Sequence, residues 1–398
     1  MGAETRILLL SNRDHQEPFE EPPLGEAVGH GAGLGVVGVV GVVGVVGAAR
    51  ATPADSGAPV AASVLATIAG TPGVRVAHRP VYRPSEILAA VREYRPSVVF
   101  NLCEALGGDS RLEVHAAWLL ERLGLPFTGS PYHALRHCLY KVEANQILAR
   151  AGVRVPATVR VDSPDRLPKV QFPVIVKPER EDGSNGICFD SVVHDLPRLR
   201  DRVALVIETF KQPAVVQRYI HGREIGISLL GWPVPRVMPP GEILFGGLPS
   251  GHPHVLTFSS KWHPGSIDWN GTSSVPAVLR PPELRRVAAI GRRAFEVLGL
   301  RDYGRVDVRL DERGQPYVID VNPNCDLSDD GGLGLACARG GLSTPDFIWE
   351  ILRGALRRRT DISVLFASRG RSPRTSRFAA RAPVLTEAPA LAVAPEAS

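Results

Sequence analysis

Short apolar runs and amphipathic stretches alternate along the first third of the chain. Residues 6–10 form an apolar run that predicts a strand, 59–69 a helix, and Val74-Arg75-Val76-Ala77 a second strand. Residues 85–94 read as a helix, opened by Pro84 and Ser85 and closed by Arg95-Pro96. Val98-Val99-Phe100 reads as a buried strand. This β-α-β-α-β rhythm predicts an α/β fold that opens with a parallel sheet flanked by helices. A further helix is expected over 112–123, ending at Gly124, and a second region starts near His137. There, 141–151 reads as helical, 153–161 as extended, Val174-Ile175-Val176-Lys177-Pro178 as a buried strand, and 179–186 as a polar loop. Strands follow at 215–220 and 224–230. A helix at 283–298 carries Leu284, Val287, Ala288, Ala294, Phe295 and Leu298 on one side, between Pro281-Pro282 and Gly299.

The stretch 30–49 departs from this rhythm. It has no Lys, Arg, Asp or Glu and repeats Gly-Val-Val, with glycines at 35, 38, 41, 44 and 47. A membrane helix needs about 20 apolar residues, but a glycine every third residue weakens any helix. A span here would also split the first strand from the first helix, so the run reads as a low-complexity insertion over 28–58 and no membrane span is expected. The formal net charge is +5, yet residues 353–398 carry nine Arg and only Asp361, Glu387 and Glu396. The basicity therefore belongs to the end of the chain, read as a disordered Arg/Ala/Pro tail over 357–398. The body is near neutral, and a nucleic-acid partner is not expected. Five cysteines without C-x-x-C spacing exclude a disulfide scaffold or zinc cluster and predict reduced thiols in a cytoplasmic protein without a signal peptide.

Two segments alternate polar and apolar residues around the turn Asp311-Glu312-Arg313-Gly314. If Leu310 pairs with Gln315, Asp307 opposes Val318 and Arg305 opposes Asp320. Val306, Val308, Leu310, Tyr317, Ile319 and Val321 then share one face, while Arg305, Asp307, Asp320 and Asn322 share the other. Asp, Asp and Asn are hard oxygen donors of the kind magnesium takes beside nucleotide phosphates. A solvated face with a cross-strand Arg–Asp pair fits the same spacing. His252, His254 and His263 read as loop histidines, and the Arg357-Arg358-Arg359 run as a solvated helix end or tail.

At this hairpin the chain resembles the D-alanine–D-alanine ligase family of the ATP-grasp superfamily. The resemblance runs in order from about Val98 to Leu352 through Asn101-Leu102-Cys103-Glu104, residues 125–130, Val-Lys-Pro, Gly-Arg-Glu, Ser-Lys-Trp and Gly-Arg-Val-Asp. It implies a pre-ATP-grasp α/β domain over 1–136, a small lobe or lid over 137–213, and a C-terminal lobe with a metal site over 214–356. The implied chemistry joins a carboxylate to an amine: ATP phosphorylates the carboxylate and the amine attacks the acyl phosphate. Lys141 and Lys177 match lysines that hold phosphates, and residues 182–186, with Gly183 and Ser184, match the small-residue loop over them. Gln217, Arg218, Tyr219 and Ile220 match the adenine linker, with Gln217 where the family usually has Glu. Glu224 matches the ribose-binding acid and Lys261 a lysine at the γ-phosphate. Arg305 matches the arginine at the tetrahedral intermediate. Asp307, Asp320 and Asn322 match the ligands of Mg2+, which Mn2+ can replace; the family prefers Glu where Asp320 stands.

The substrate end differs. Residues 323–332 carry Asp326, Asp329 and Asp330 where the family has a carboxylate-binding turn, which predicts repulsion of an acceptor carboxylate and a preference for another amine. The family's early Glu has no clear match. The expected partners are small amino-acid or carboxylate substrates, and a homodimer is allowed. Competing readings are a dipeptide or amino-acid ligase of specialised metabolism with a different acceptor, and a nucleotide-binding ATP-grasp protein without ligase activity.

Overall fold

The computed structural model describes residues 4–13 and 57–369. Residues 28–56 of the expected Gly/Val insertion and the last part of the basic tail, 370–398, lie outside the described residues; 57–58 belong to the first helix. The first unit of structure is the expected parallel one. Strands β1 (Thr5–Asn12), β2 (Val74–Val81) and β3 (Val98–Leu102) pair in the order β2-β1-β3, linked by helices α1 (Gly57–Ile68) and α2 (Pro84–Tyr94), with α3 (Glu113–Arg122) following β3. Alternation along β1 explains why this strand reads as one continuous apolar run. Ile7 and Leu9 pack with α1, while Leu8 and Leu10 pack with α2 and α3, so both faces are covered.

Helices α4 (Tyr132–Leu139) and α5 (Lys141–Arg150) lead into a four-stranded antiparallel sheet. Its strands are β4 (Thr158–Val161), β5 (Val174–Pro178), β6 (Val192–Val193) and β7 (Ala214–Arg218), in the order β4-β7-β5-β6. Helix α6 (Leu196–Phe210) buries Leu199, Val203 and Val206 against it. A larger antiparallel sheet follows, with β8 (Arg223–Leu230), β9 (Arg236–Val237), β10 (Gly241–Leu244), the short helices α7 (Ser259–Trp262) and α8 (Ile267–Gly271), β11 (Ser273–Pro276), helix α9 (Pro281–Val297), β12 (Tyr303–Leu310) and β13 (Pro316–Asn322). Its order is β11-β10-β8-β12-β13, with β9 added beside β8. Val287, Ala294 and Phe295 of α9 pack on Ile225, Ile227, Val306, Val308 and Val321. The chain continues through α10 (Gly332–Arg339) and α11 (Thr344–Arg369). Among the described residues no helix is long and apolar enough to cross a membrane.

The hairpin register differs from the sequence expectation. Leu310 pairs with Pro316, Val308 with Val318, Asp307 with Asp320 and Arg305 with Asn322, and the ladder shifts between Asp307 and Val308. Ile319 is the additional residue of a β-bulge. The bulge reverses the side-chain parity before it, so Val318 enters the core. Tyr317 and Ile319 do not share the face of Val306 as expected. Tyr317 stacks under Arg154 (5.6 Å) and Ile319 lines the cleft beside Asp320.

The tail boundary is also corrected: α11 carries regular helix through 357–369. Within it Arg358 is no solvated residue. It forks onto Asp302, which is fully buried, with Nη1 and Nη2 each donating at 2.6 Å, and Nη2 also donates to the Phe127 carbonyl. Asp302 in turn accepts from the Gly129 amide at 2.9 Å. Three distant segments thus meet on one carboxylate. Removing one partner of a buried pair leaves the other charge uncompensated, so Arg358→Ala is expected to cost about 3–5 kcal/mol. Exposed Arg357→Ala is expected to stay within about 0.5 kcal/mol. Urea denaturation of the two variants separates them; equal, small effects would remove the clamp.

Candidate active site

The two antiparallel sheets face a cleft of about 860 Å³, mouth included, and every site residue singled out from the sequence lines it. One end holds four cations and three carboxylates. Asp307 and Asp320 sit opposite each other on β12 and β13. Arg305 grips Asp307 with Nε at 2.8 Å and Nη2 at 3.0 Å. Lys141, at the first turn of α5, lies 3.5 Å from Asp320 and 3.6 Å from Asp182. Lys177, at the end of β5, donates to the Ile319 carbonyl at 3.2 Å, an acceptor that the bulge turns toward it.

The electrostatics follow from this crowding. Asp307 beside it holds the Arg305 guanidinium above its ordinary value, against the cost of burial. Burial opposes the charge on Lys141, yet Asp320 and Asp182 outweigh it and raise Lys141. Among the described residues Lys177 has no such close partner: burial pushes it down to about 8, with Asp320 opposing and Lys141 adding to the fall. Burial, then Arg305, lowers Lys261 as well. Burial would raise Asp320, but Lys141, Lys177 and Arg305 together hold it low. A site with two depressed lysines and ion-paired carboxylates is prepared for additional negative charge.

The loop over this end is tied down from the side. Asp182, Gly183, Ser184 and Asn185 form a turn in which the Asn185 amide donates to the Asp182 carbonyl. Trp262, next to Lys261, donates Nε1 to the Gly183 carbonyl at 3.1 Å, and the Phe258 amide donates to the Ile187 carbonyl. Gly186 closes the loop with φ +75°, and a Cβ there would lie 2.7 Å from both Phe210 and Pro178.

The other end is less charged. Ile175, Ile187, Val255, Leu256 and Ile319 line it with Gln217, Arg218, Tyr219 and Ile220. Gln217 Nε2 donates to Thr158 Oγ1 at 3.0 Å, and the Tyr219 hydroxyl donates to the His254 carbonyl at 2.8 Å. Glu224 is buried and accepts from Arg309 at 2.7 Å. Arg309 was missed in the sequence, although strict alternation along β12 places it on the same face as Arg305 and Asp307. Val255 and Leu256, inside the Gly/Pro/His loop, carried no periodic signal at all.

The metal candidates are Asp307, Asp320 and Asn322. Among the described residues there is no cluster of three or more His, Cys, Asp or Glu side chains arranged to hold a metal alone. Two carboxylates and an amide oxygen nevertheless fit a small divalent cation whose shell is completed by phosphate oxygens and water. The three aspartates after β13 are placed differently from the expectation. Asp326 accepts from the Ser328 amide and hydroxyl, Asp329 accepts from the Thr344 hydroxyl, and Asp330 is exposed. None of them lines the cleft. Asp326 stabilises the turn before α10, and Asp329 ties that segment to the start of α11.

An antiparallel two-lobed cleft lined by lysines and closed by a paired-carboxylate hairpin defines an ATP-grasp protein. The D-ala D-ala ligase C-terminus family model matches residues 162–353. An uncharacterized protein of Sinorhizobium fredii, y4sG, is 33% identical over 264 residues, 66% of this chain and 75% of that protein. A D-alanine–D-alanine ligase of Chromohalobacter salexigens is 30% identical over 239 residues, 58% of this chain and 70% of that protein. The crystal structure of a D-alanine–D-alanine ligase from Bacillus anthracis complexed with ATP shares the fold, with a TM-score of 0.63 at 18% identity over 90% of this chain and 99% of that one. The chain belongs to the D-alanine–D-alanine ligase family, whose members are ATP-dependent ligases that form C–N bonds.

Gly186 offers a direct test of the loop. Gly186→Ala combines left-handed backbone with overpacking against Phe210 and Pro178, and a loss of about 2 kcal/mol or more is expected. A thermal melt within 1 °C of the parent protein would show that the loop does not need glycine there.

Proposed function

We propose that this chain is an ATP-dependent carboxylate–amine ligase that makes an amide bond between small amino-acid or carboxylate substrates through an acyl phosphate. One observation carries the reading: Lys141, Lys177, Lys261 and Arg305, from four separate segments, line the same cleft as the facing carboxylates of Asp307 and Asp320. In this reading residues 137–213 close over the nucleotide and 214–356 carry the hairpin. Lys141 and Lys177 hold phosphate oxygens as point charges, and the amides of 183–184 approach them because their side chains are small. Lys261 contacts the γ-phosphate. Gln217 and the linker to Ile220 take the adenine edge, and Glu224 the ribose.

Asp307, Asp320 and Asn322 hold the divalent cation, magnesium in our reading. When bound, the cation neutralises phosphate charge that the lysines alone leave uncompensated. A donor carboxylate oxygen attacks the γ-phosphorus and ADP leaves. The amine nitrogen then attacks the acyl carbon, phosphate leaves, and the amine gives up a proton. Arg305, freed from Asp307, stabilises the oxyanion of the tetrahedral centre.

Phosphate release with ATP and magnesium, measured across a panel of D- and L-amino acids, tests the activity. ADP and amide forming in equal amounts for at least one pair is the expected result; ATP binding without amide formation for any pair would leave a nucleotide-binding protein. Asp307→Asn should lower turnover by about a hundredfold or more while keeping the fold, as circular dichroism would check, because a carboxylate that offsets metal and guanidinium charge is lost. Near-normal turnover at limiting magnesium would remove Asp307 from the metal site.

Lys177 supplies a pH test. Its ammonium titrates at about 8 in the free cleft, and bound phosphate raises that value by favouring the charged form. Above pH 8 the free protein holds fewer protons at this site than the complex, so nucleotide binding takes up protons and weakens as pH rises. Calorimetry at pH 8.5 in two buffers of different ionisation enthalpy is expected to show that uptake, and Lys177→Met should reduce it, Lys261 supplying any remainder. Unchanged uptake in the variant would assign it elsewhere.

A further inference from the structure

Arg309 is buried, 4% exposed, on the cleft side of β12, where it faces Glu224 of β8 in the ladder. Its guanidinium donates to four oxygens on three segments. Nη2 donates to Glu224 Oε2 at 2.7 Å and to the His254 carbonyl, and Nη1 to the Tyr219 hydroxyl and the Ile220 carbonyl, both at 3.4 Å. The Tyr219 and Phe245 rings lie 5.2 and 5.6 Å from its central carbon. Each of the three segments contributes cleft-lining residues: Tyr219 and Ile220, Glu224, and Val255 with Leu256.

A buried guanidinium that served only to brace the sheet would not need to gather the cleft wall in this way. The planar fork is suited to this, since one rigid group satisfies several acceptors at fixed angles. Among the described residues Glu224 Oε1 takes no hydrogen bond, so the pair leaves one carboxylate oxygen for a ligand while its charge is cancelled by Arg309. A neutralised acid of this kind recognises hydroxyls without repelling phosphates further along the cleft.

We infer that Arg309 is a positioning residue for the nucleoside end: it fixes Glu224 and the 254–256 loop so that the site selects a ribose over a deoxygenated sugar. The inference rests on the nucleotide reading above. Calorimetry on the full chain with MgATP and with its 2′,3′-dideoxy analogue tests it, apart from any ligase activity. The parent protein is expected to prefer ATP by about tenfold or more, the worth of hydrogen bonds to a charged acceptor. In Arg309→Met, ATP binding should weaken by about tenfold and the preference fall to within about twofold. Arg309→Lys restores a cation opposite Glu224 without the fork and should recover only part of the preference. Where steady-state turnover is measurable, the Met variant should raise KM for ATP with kcat within about threefold, a split expected of lost ground-state binding.

A folded Arg309→Met variant with parental ATP affinity and preference overturns the inference. If that variant does not fold, Arg309→Lys decides: parental affinity together with parental preference overturns the inference, and a reduced preference supports it. Failure of the parent protein to bind either nucleotide removes the nucleotide reading itself and this inference with it, an outcome distinct from unaffected variants of a binding parent.

Discussion

Asp307 and Asp320 stand directly opposite each other on neighbouring strands, and like charges in that position destabilise a ladder. Much of the cleft answers this one repulsion. Arg305 takes both oxygens of Asp307. Lys141 reaches Asp320 from the start of α5, an element of another lobe in our reading. Arg305 lies on β12 itself, two residues from Asp307, whereas Lys141 comes from a segment that must first be folded into place. The like-charge pair therefore makes the hairpin depend on the packing of α5, β5 and the larger sheet. It also makes the cations depend on the hairpin, since a buried Lys or Arg without a counter-charge is costly.

The bulge at Ile319 is what makes this crowding geometrically possible. In an unbroken ladder Ile319 would share the face of Val321 and enter the core, and its carbonyl would belong to regular pairing. With the extra residue, Ile319 and Asp320 both line the cleft, and the Ile319 carbonyl receives the Lys177 ammonium. The site thus obtains an apolar wall, a carboxylate and a carbonyl acceptor from two successive residues.

Alternation made the parallel opening sheet, the hairpin and the polar face of β12 legible in the sequence, because period-2 patterning records which face is buried. The bulge left no such record: Tyr317-Val318-Ile319 are all compatible with a strand whichever of them faces the core, so the register was open by one residue. Ordered motifs made the lysines and the Asp–Asp–Asn set legible, and the cleft gathers them. The residues that were not legible are those whose partners lie far away in sequence. Arg358 reads as part of a basic run until Asp302, 56 positions earlier, is seen to bury its charge. Arg309 is 85 positions from Glu224. Asp326 and Asp329 misled in the opposite direction: their charge suggested a substrate effect, whereas Ser328 occupies Asp326 in a local turn and Thr344, at the start of α11, occupies Asp329.

The two ends of the cleft solve opposite electrostatic problems. Arg309 and Glu224 cancel each other at the end to which our reading assigns a neutral sugar and base, and five apolar side chains complete that end. At the other end cancellation is incomplete. Lys177 and Lys261 are held where burial disfavours their charge, and no carboxylate lies within ion-pair distance of either among the described residues. The protein bears that cost before any ligand arrives. A polyphosphate recovers it by supplying the missing negative charge in a region of low polarity, where each interaction is stronger than in water. Affinity at this end then comes from relieving strain already present, and the lysines need no reorganisation to deliver it. In the proposed reaction the same arrangement would favour a transition state in which charge shifts between donor carboxylate, phosphoryl group and leaving ADP, because fixed cations already line the cleft where it would move.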